Sequence, residues 1–202
     1  SARTVEFTNN LQLLTGRADA QIEVEASIQR LFFYAAWSDK FDGSARSVPL
    51  KAIALVMNEA IGNCGVICDD RYPLLGFISA MAPLFATGNR SIIIPSEPFS
   101  PIVTDFYQVL DTSDVPPGTV NILTGRHTDL ALELASHMDI ESVWSFSTSD
   151  VSRDIEKASV SNLKRTWVSN GEKRDWYNEE SQGIQFLTNS IENKTIWIPY
   201  GE

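Results

Sequence analysis

The chain has 202 residues, of which 43% are hydrophobic, and a formal net charge of −10 at pH 7. That is enough for one substantial domain with a real core. The acidic balance argues against nucleic acid and anionic membrane surfaces as partners, because both need clustered Lys and Arg. No apolar run approaches the roughly 20 residues of a membrane span, and no signal peptide is visible. Starting at Ser1 rather than Met, the chain reads as a piece of a longer protein, so a missing targeting segment says little about the parent.

Residues 22–37 carry a helical stripe (Ile22, Ala26, Ile28, Leu31, Phe32, Ala35, Ala36) that ends in the polar stretch 39–43. Residues 48–58 read as extended, and 59–63 lead into a second extended run, 64–68. Together they suggest a β-ribbon running into the first core strand. A repeating unit follows. Strand 64–68 feeds helix 74–87, and strand 91–94 feeds helix 99–111, with Pro95 and Pro98 at the turn. Strand 119–123 feeds helix 128–137, strand 140–145 feeds helix 150–159, and strand 163–168 closes the series.

Short apolar strands alternating with helices predict an α/β fold, a Rossmann-like parallel five-stranded sheet with helices on both faces and right-handed crossovers. Past Ser169, residues 170–175 are polar and turn-like, 179–190 read as a helix and 194–200 as a strand. In that strand Ile196 and Ile198 share one face and Trp197 takes the other. Pro199 places its end at an edge or outside a ladder, and the strand needs a partner. The chain thus divides into an N-terminal helical segment (1–45), a β-ribbon (46–63), a Rossmann-like unit (64–170) and a linker with a C-terminal strand (171–202).

Cys64 and Cys68 are the only cysteines, which fits a reducing compartment. With His127 and His137 distant in sequence, they read as small apolar side chains on one strand face rather than as metal ligands. Trp37, Trp144 and Trp167 lie in helix or strand patterns and read as core. Trp176 and Trp197 sit in the C-terminal segment, where Trp197 is either an interface anchor or a cap on the ribbon. Asp69, Asp70 and Arg71 read as a turn with an Asp–Arg ion pair in solvent.

Four motifs, in this order, carry a resemblance: Tyr34-Ala-Ala-Trp-Ser-Asp-Lys-Phe-Asp-Gly43, Thr87-Gly-Asn-Arg-Ser-Ile-Ile-Ile-Pro-Ser-Glu97, Val115-Pro-Pro-Gly-Thr-Val-Asn-Ile-Leu-Thr-Gly125 and Asn162-Leu-Lys-Arg165. Through them, residues 28–170 resemble the coenzyme-binding domain of aldehyde dehydrogenases. The tail Lys194-Thr-Ile-Trp-Ile-Pro-Tyr-Gly201 is similar to the family's C-terminal oligomerisation strand. With Asn162-Leu-Lys-Arg-Thr-Trp-Val168 and Asp175-Trp-Tyr177, the chain looks like the truncated C-terminal unit of family 16 aldehyde dehydrogenases, which append an incomplete second copy behind a first.

The departures from the family carry the functional reading. By resemblance, Gly65-Val-Ile-Cys-Asp-Asp-Arg-Tyr-Pro-Leu-Leu75 is the turn that usually carries an oxyanion-holding Asn, whose place Arg71 takes. The general-base Glu matches Ser169, which cannot accept a proton near neutral pH as a carboxylate does. Only about 25 residues separate Asn170 from the terminal strand, too few for the domain that carries the nucleophilic cysteine. Neither Cys64 nor Cys68 stands in that nucleophile's place. Of the cofactor contacts, the ribose-binding Lys is Ile94, Glu97 remains, and the glycine that lets pyrophosphate approach the helix after the fourth strand is Ser147. Asp150 adds a carboxylate near that helix N-terminus.

The resemblance therefore implies a pseudoenzyme rather than an enzyme. It implies a cytoplasmic, non-catalytic scaffold and oligomerisation module that forms a symmetric homodimer and assembles with the rest of a parent chain. No cofactor is expected. The alternatives are a residual NAD-binding regulatory module using Glu97, or a part of an NAD-dependent aldehyde oxidoreductase whose catalytic residues lie elsewhere in the parent.

Overall fold

The computed structural model describes residues 2–200; Gly201, which ends the tail motif, lies outside them, as do Ser1 and Glu202. Five strands, β3 (Asn63–Ile67), β4 (Arg90–Ile94), β5 (Val120–Ile122), β6 (Ser142–Ser145) and β7 (Arg165–Val168), form a parallel sheet in the order β5-β4-β3-β6-β7. The order reverses beside β3, so a crevice opens beyond the carboxyl ends of β3, β4 and β6. Alternation along each strand sends side chains to two cores. Cys64, Val66, Cys68, Ile93, Trp144 and Phe146 face a larger core built on α1 (Thr4–Thr15), α2 (Ala20–Trp37) and α3 (Pro73–Ala86). Ile67, Ile94 and Val143 face a smaller one under α6 (His127–Ser136) and α7 (Ser149–Ser159). Each such fully buried aliphatic side chain contributes about 1.5–3 kcal/mol. Helices thus cover both faces, as the alternating pattern predicts.

A second, antiparallel sheet has the order β1-β2-β8, from β1 (Ser44–Ser47), β2 (Ala52–Ala60) and β8 (Ile191–Pro199). The ribbon begins earlier than expected, and 48–51, expected as extended, form its loop. Pro49 has no N–H to give a ladder, so the loop is where it fits. The C-terminal strand finds its partner within the chain: β8 pairs with β2 from Ala60↔Ile191 to Ala52↔Pro199. The register places Ile53 with Ile198 and Leu55 with Ile196 on one face, and Trp197 with Ala54 on the other.

Two expected helices are divided. Helix 99–111 becomes α4 (Pro101–Thr104) and α5 (Phe106–Thr112), meeting at Asp105, whose carboxylate accepts Asn10 Nδ2 from α1 at 3.2 Å. The helix expected over 179–190 becomes a 3-10 turn (Glu179–Ser181) and α8 (Ile184–Asn189). Gly183 between them has φ 102°, which breaks a helix and suits glycine alone. Trp176, left in the linker by its sequence context, is fully buried.

Candidate functional site

The turn from β3 into α3 forms the floor of the crevice, and its acidic and basic groups hold the fold. Asp69 is buried. One of its oxygens accepts the Arg71 backbone N–H (2.7 Å) and Nε (3.3 Å); the other accepts Arg71 Nη2 (2.8 Å) and Trp176 Nε1 (3.1 Å). Of the Asp–Arg pair expected in solvent, the Asp69 half is therefore withdrawn from it while the Arg71 side chain stays 38% exposed, and the carboxylate anchors a core tryptophan. Arg71 Nη2 also donates to Arg174 O at 2.9 Å, and its hydrogen bond to Asp69 raises its proton affinity. Asp70 Oδ1 accepts the Glu97 N–H (2.9 Å), tying this turn to the one after β4.

Helix α3 has no capping side chain at Tyr72. Glu23 of α2 supplies the cap: Oε1 accepts Leu74 N–H (2.9 Å) and Leu75 N–H (3.1 Å), and Oε2 accepts Arg17 Nη1 (2.7 Å). Sequence reading missed Glu23. Its signals were a carboxylate inside an apolar stripe and a helix start, Arg71-Tyr72-Pro73, with no Ser, Thr, Asp or Asn of its own.

Glu97, the one expected cofactor residue, sits at the N-terminus of α6. Its Oε1 accepts the His127 backbone N–H, and its side chain is 39% exposed. The His127 ring is buried between two loops, with Nε2 2.8 Å from Pro95 O and Nδ1 3.1 Å from Ser147 Oγ. A carbonyl only accepts, so Nε2 carries a proton; in the neutral ring Nδ1 then accepts from the Ser147 hydroxyl. Thus the Ser147 side chain staples α6 to the β6–α7 turn. Thr148 Oγ1 caps α7 by accepting Val151 N–H at 3.4 Å. Gly171 (φ 79°) lies so close to this terminus that a Cβ on it would be 2.9 Å from Ser149 N.

The N-termini of α3, α6 and α7 are thus covered by Glu23, by Glu97 and by Thr148 with the 170–171 loop. Ile94 is buried in the sheet and offers no polar group. At α6 and at α7 these side chains each engage one of the N-terminal N–H groups that a pyrophosphate would use.

Ser169 Oγ donates to Ser147 O at 3.4 Å. Cys64 and Cys68 are fully buried free thiols; burial pushes Cys64 up to about 12 and raises Cys68 likewise, so neither is a thiolate at neutral pH. Among the described residues no group of three His, Cys, Asp or Glu is placed to hold a metal ion. Nor is any described helix long and apolar enough to cross a membrane.

Beyond the crevice, two arginines organise the C-terminal segment, and sequence reading singled out neither. Buried Arg30 of α2 donates to Ser79 Oγ, Ser181 O and Trp176 O (2.8 Å for the last). Arg174 lies among four aromatic rings.

Comparison with known proteins places this architecture. Residues 3–177 match the profile described as "Aldehyde dehydrogenase family". An aldehyde dehydrogenase of Alternaria alternata is 27% identical over 183 residues, covering 89% of this chain and 35% of that protein. Retinal dehydrogenase 2 of Mus musculus is 32% identical over 153 residues, covering 75% and 30%. Among solved structures, PnpE from Pseudomonas sp. WBC-3 superposes with a TM-score of 0.79 at 26% identity, covering 83% of this chain and 35% of PnpE. PnpE has also been solved in complex with nicotinamide adenine dinucleotide. The chain therefore spans about a third of the length of these relatives.

Proposed function

Because the chain belongs to the aldehyde dehydrogenase family, we propose that it is a non-catalytic unit serving as a scaffold and oligomerisation module of a larger protein of that family. The observation that carries this reading is the use of the crevice by the fold itself. Asp69 and Arg71 hold Trp176, Glu97 holds the first residue of α6, and Ser147 holds His127. A catalytic crevice needs such groups free to meet a substrate or cofactor. Arg71 and Ser169 stand where the resemblance expects the oxyanion amide and the base, and neither cysteine is accessible.

The division into helical segment, ribbon, Rossmann-like unit and terminal strand is part of this proposal. So are a homodimer, assembly with the rest of a parent chain, and a cytoplasmic setting, which the two free thiols support. The apolar face of β2 and β8 supports self-association: Ile53 and Ile198 are opposite each other and 44% and 46% exposed.

A second reading, a residual NAD-binding regulatory module, is favoured by the exposure of the Glu97 carboxylate at the N-terminus of α6. Titrating NAD⁺ into the protein while measuring heat separates the two. The scaffold reading expects no saturable binding up to about 1 mM. Micromolar binding that disappears in Glu97→Ala would replace it with the regulatory one.

A further inference from the structure

A cavity of about 400 Å³ opens at the carboxyl end of β7, bordered by Phe146, Trp167, Asn170, Lys173 and Arg174. The Arg174 guanidinium carbon lies 5.5–5.8 Å from the centroids of four rings, Phe146, Trp167, Trp176 and Phe186. Cation–π attraction to several faces at once fixes the group in place. Its one hydrogen bond to the described residues runs from Nη1 to Glu180 O at 3.1 Å, and none of their carboxylates forms an ion pair with it. A guanidinium has five N–H donors, and most of these have no acceptor among the described residues. Burial disfavours its charge.

The surroundings narrow which ligand these donors suit. Arg174 already occupies the aromatic cage, so a second cation has no place there. Glu172, Asp175 and Glu180 outnumber Lys173 on the rim, so a doubly charged phosphate is repelled more strongly than a singly charged carboxylate. A singly charged, planar carboxylate matches the fork geometry of the guanidinium. Phe146 is buried, and the exposed part of Trp167 offers a surface for an apolar body. The volume is that of a small-ligand site.

We propose that this cavity binds a small organic monocarboxylate, its carboxylate on the free donors of Arg174 and its apolar body against the exposed part of Trp167. The cavity adjoins the β3–β4–β6 crevice, with Phe146, Glu172 and Lys173 bordering both, and the proposal concerns binding at Arg174, whether or not that crevice is catalytic.

Hexanoate, hexanol and inorganic phosphate would each be titrated at matched ionic strength, with calorimetric heat and tryptophan fluorescence as readouts. Trp167 and Trp176 contact Arg174, so binding reports through their emission. Hexanoate should bind saturably with a dissociation constant of about 1 mM, at least about tenfold tighter than hexanol or phosphate. Arg174→Lys keeps a cation in the cage but loses the fork, and should weaken hexanoate about tenfold while the unfolding midpoint holds. Equal responses to hexanoate and hexanol, phosphate binding as tight as hexanoate, or no saturation by about 20 mM would overturn the proposal using the unmodified protein alone. Unchanged hexanoate binding in Arg174→Lys would overturn the assignment to Arg174.

Discussion

Glu23 illustrates how a single buried side chain here holds two helices together. It is a fully buried carboxylate that caps one helix from another and takes an ion pair from Arg17. Glu23→Ala would uncap α3 and leave Arg17 without its buried partner, lowering stability by about 3 kcal/mol in urea unfolding. The pH dependence has a definite sign. Burial pushes the Glu23 carboxyl up, against the Leu75 and Leu74 N–H groups and Arg17, which pull it down. The folded chain therefore holds this proton to higher pH than the unfolded chain does. The associated stability is full below the ordinary value of 4.5 and is lost as pH rises through the raised one. Unfolding midpoints measured between about pH 4 and about pH 7 should show this decline, and Glu23→Gln, which cannot ionise, should remove that component.

At the scale of elements, local pattern and tertiary demand agree for the sheet and disagree at its margins. Strands β3, β4 and β6 were legible because short apolar runs between turn residues follow a local rule. The divided helix at 179–189 was not, since polarity alone gives Gly183 no special weight. Its φ of 102° is set by the need to turn the chain so that Phe186 and Leu187 reach the core and β8 reaches β2. Gly183→Val should cost about 1–3 kcal/mol, because a β-branched residue is strained at positive φ. Urea unfolding would read the loss. A shift below about 0.5 kcal/mol would mean that the backbone relaxes there without strain.

At the scale of the whole molecule, the outer sheet is the exposed apolar face. Residues of β8 are exposed along almost its full length, although its backbone pairs with β2. The proposed dimer puts the Ile53–Ile198 face in the interface. Sedimentation equilibrium should then give twice the chain mass, and Ile198→Glu should weaken association at least about tenfold without changing the far-ultraviolet spectrum. A monomer at all concentrations, or a variant with unaltered mass, would leave this face for another partner.

From residue order alone, the parallel sheet, its helices and the family resemblance could be read. These follow from periodicity and from residue types at single positions, both of which are local. Only the tertiary structure decided what the surviving polar groups do. Glu23 meets Leu74 across 51 positions and Trp176 meets Asp69 across 107. Ser147 reads from the sequence as an obstacle to a phosphate, yet in the fold it is the partner of a buried histidine ring. Arg174 reads as one charge in a polar turn, yet four aromatic side chains from separate elements close around it. Such partners are brought together by the packing of distant segments, and spacing along the chain carries no trace of them.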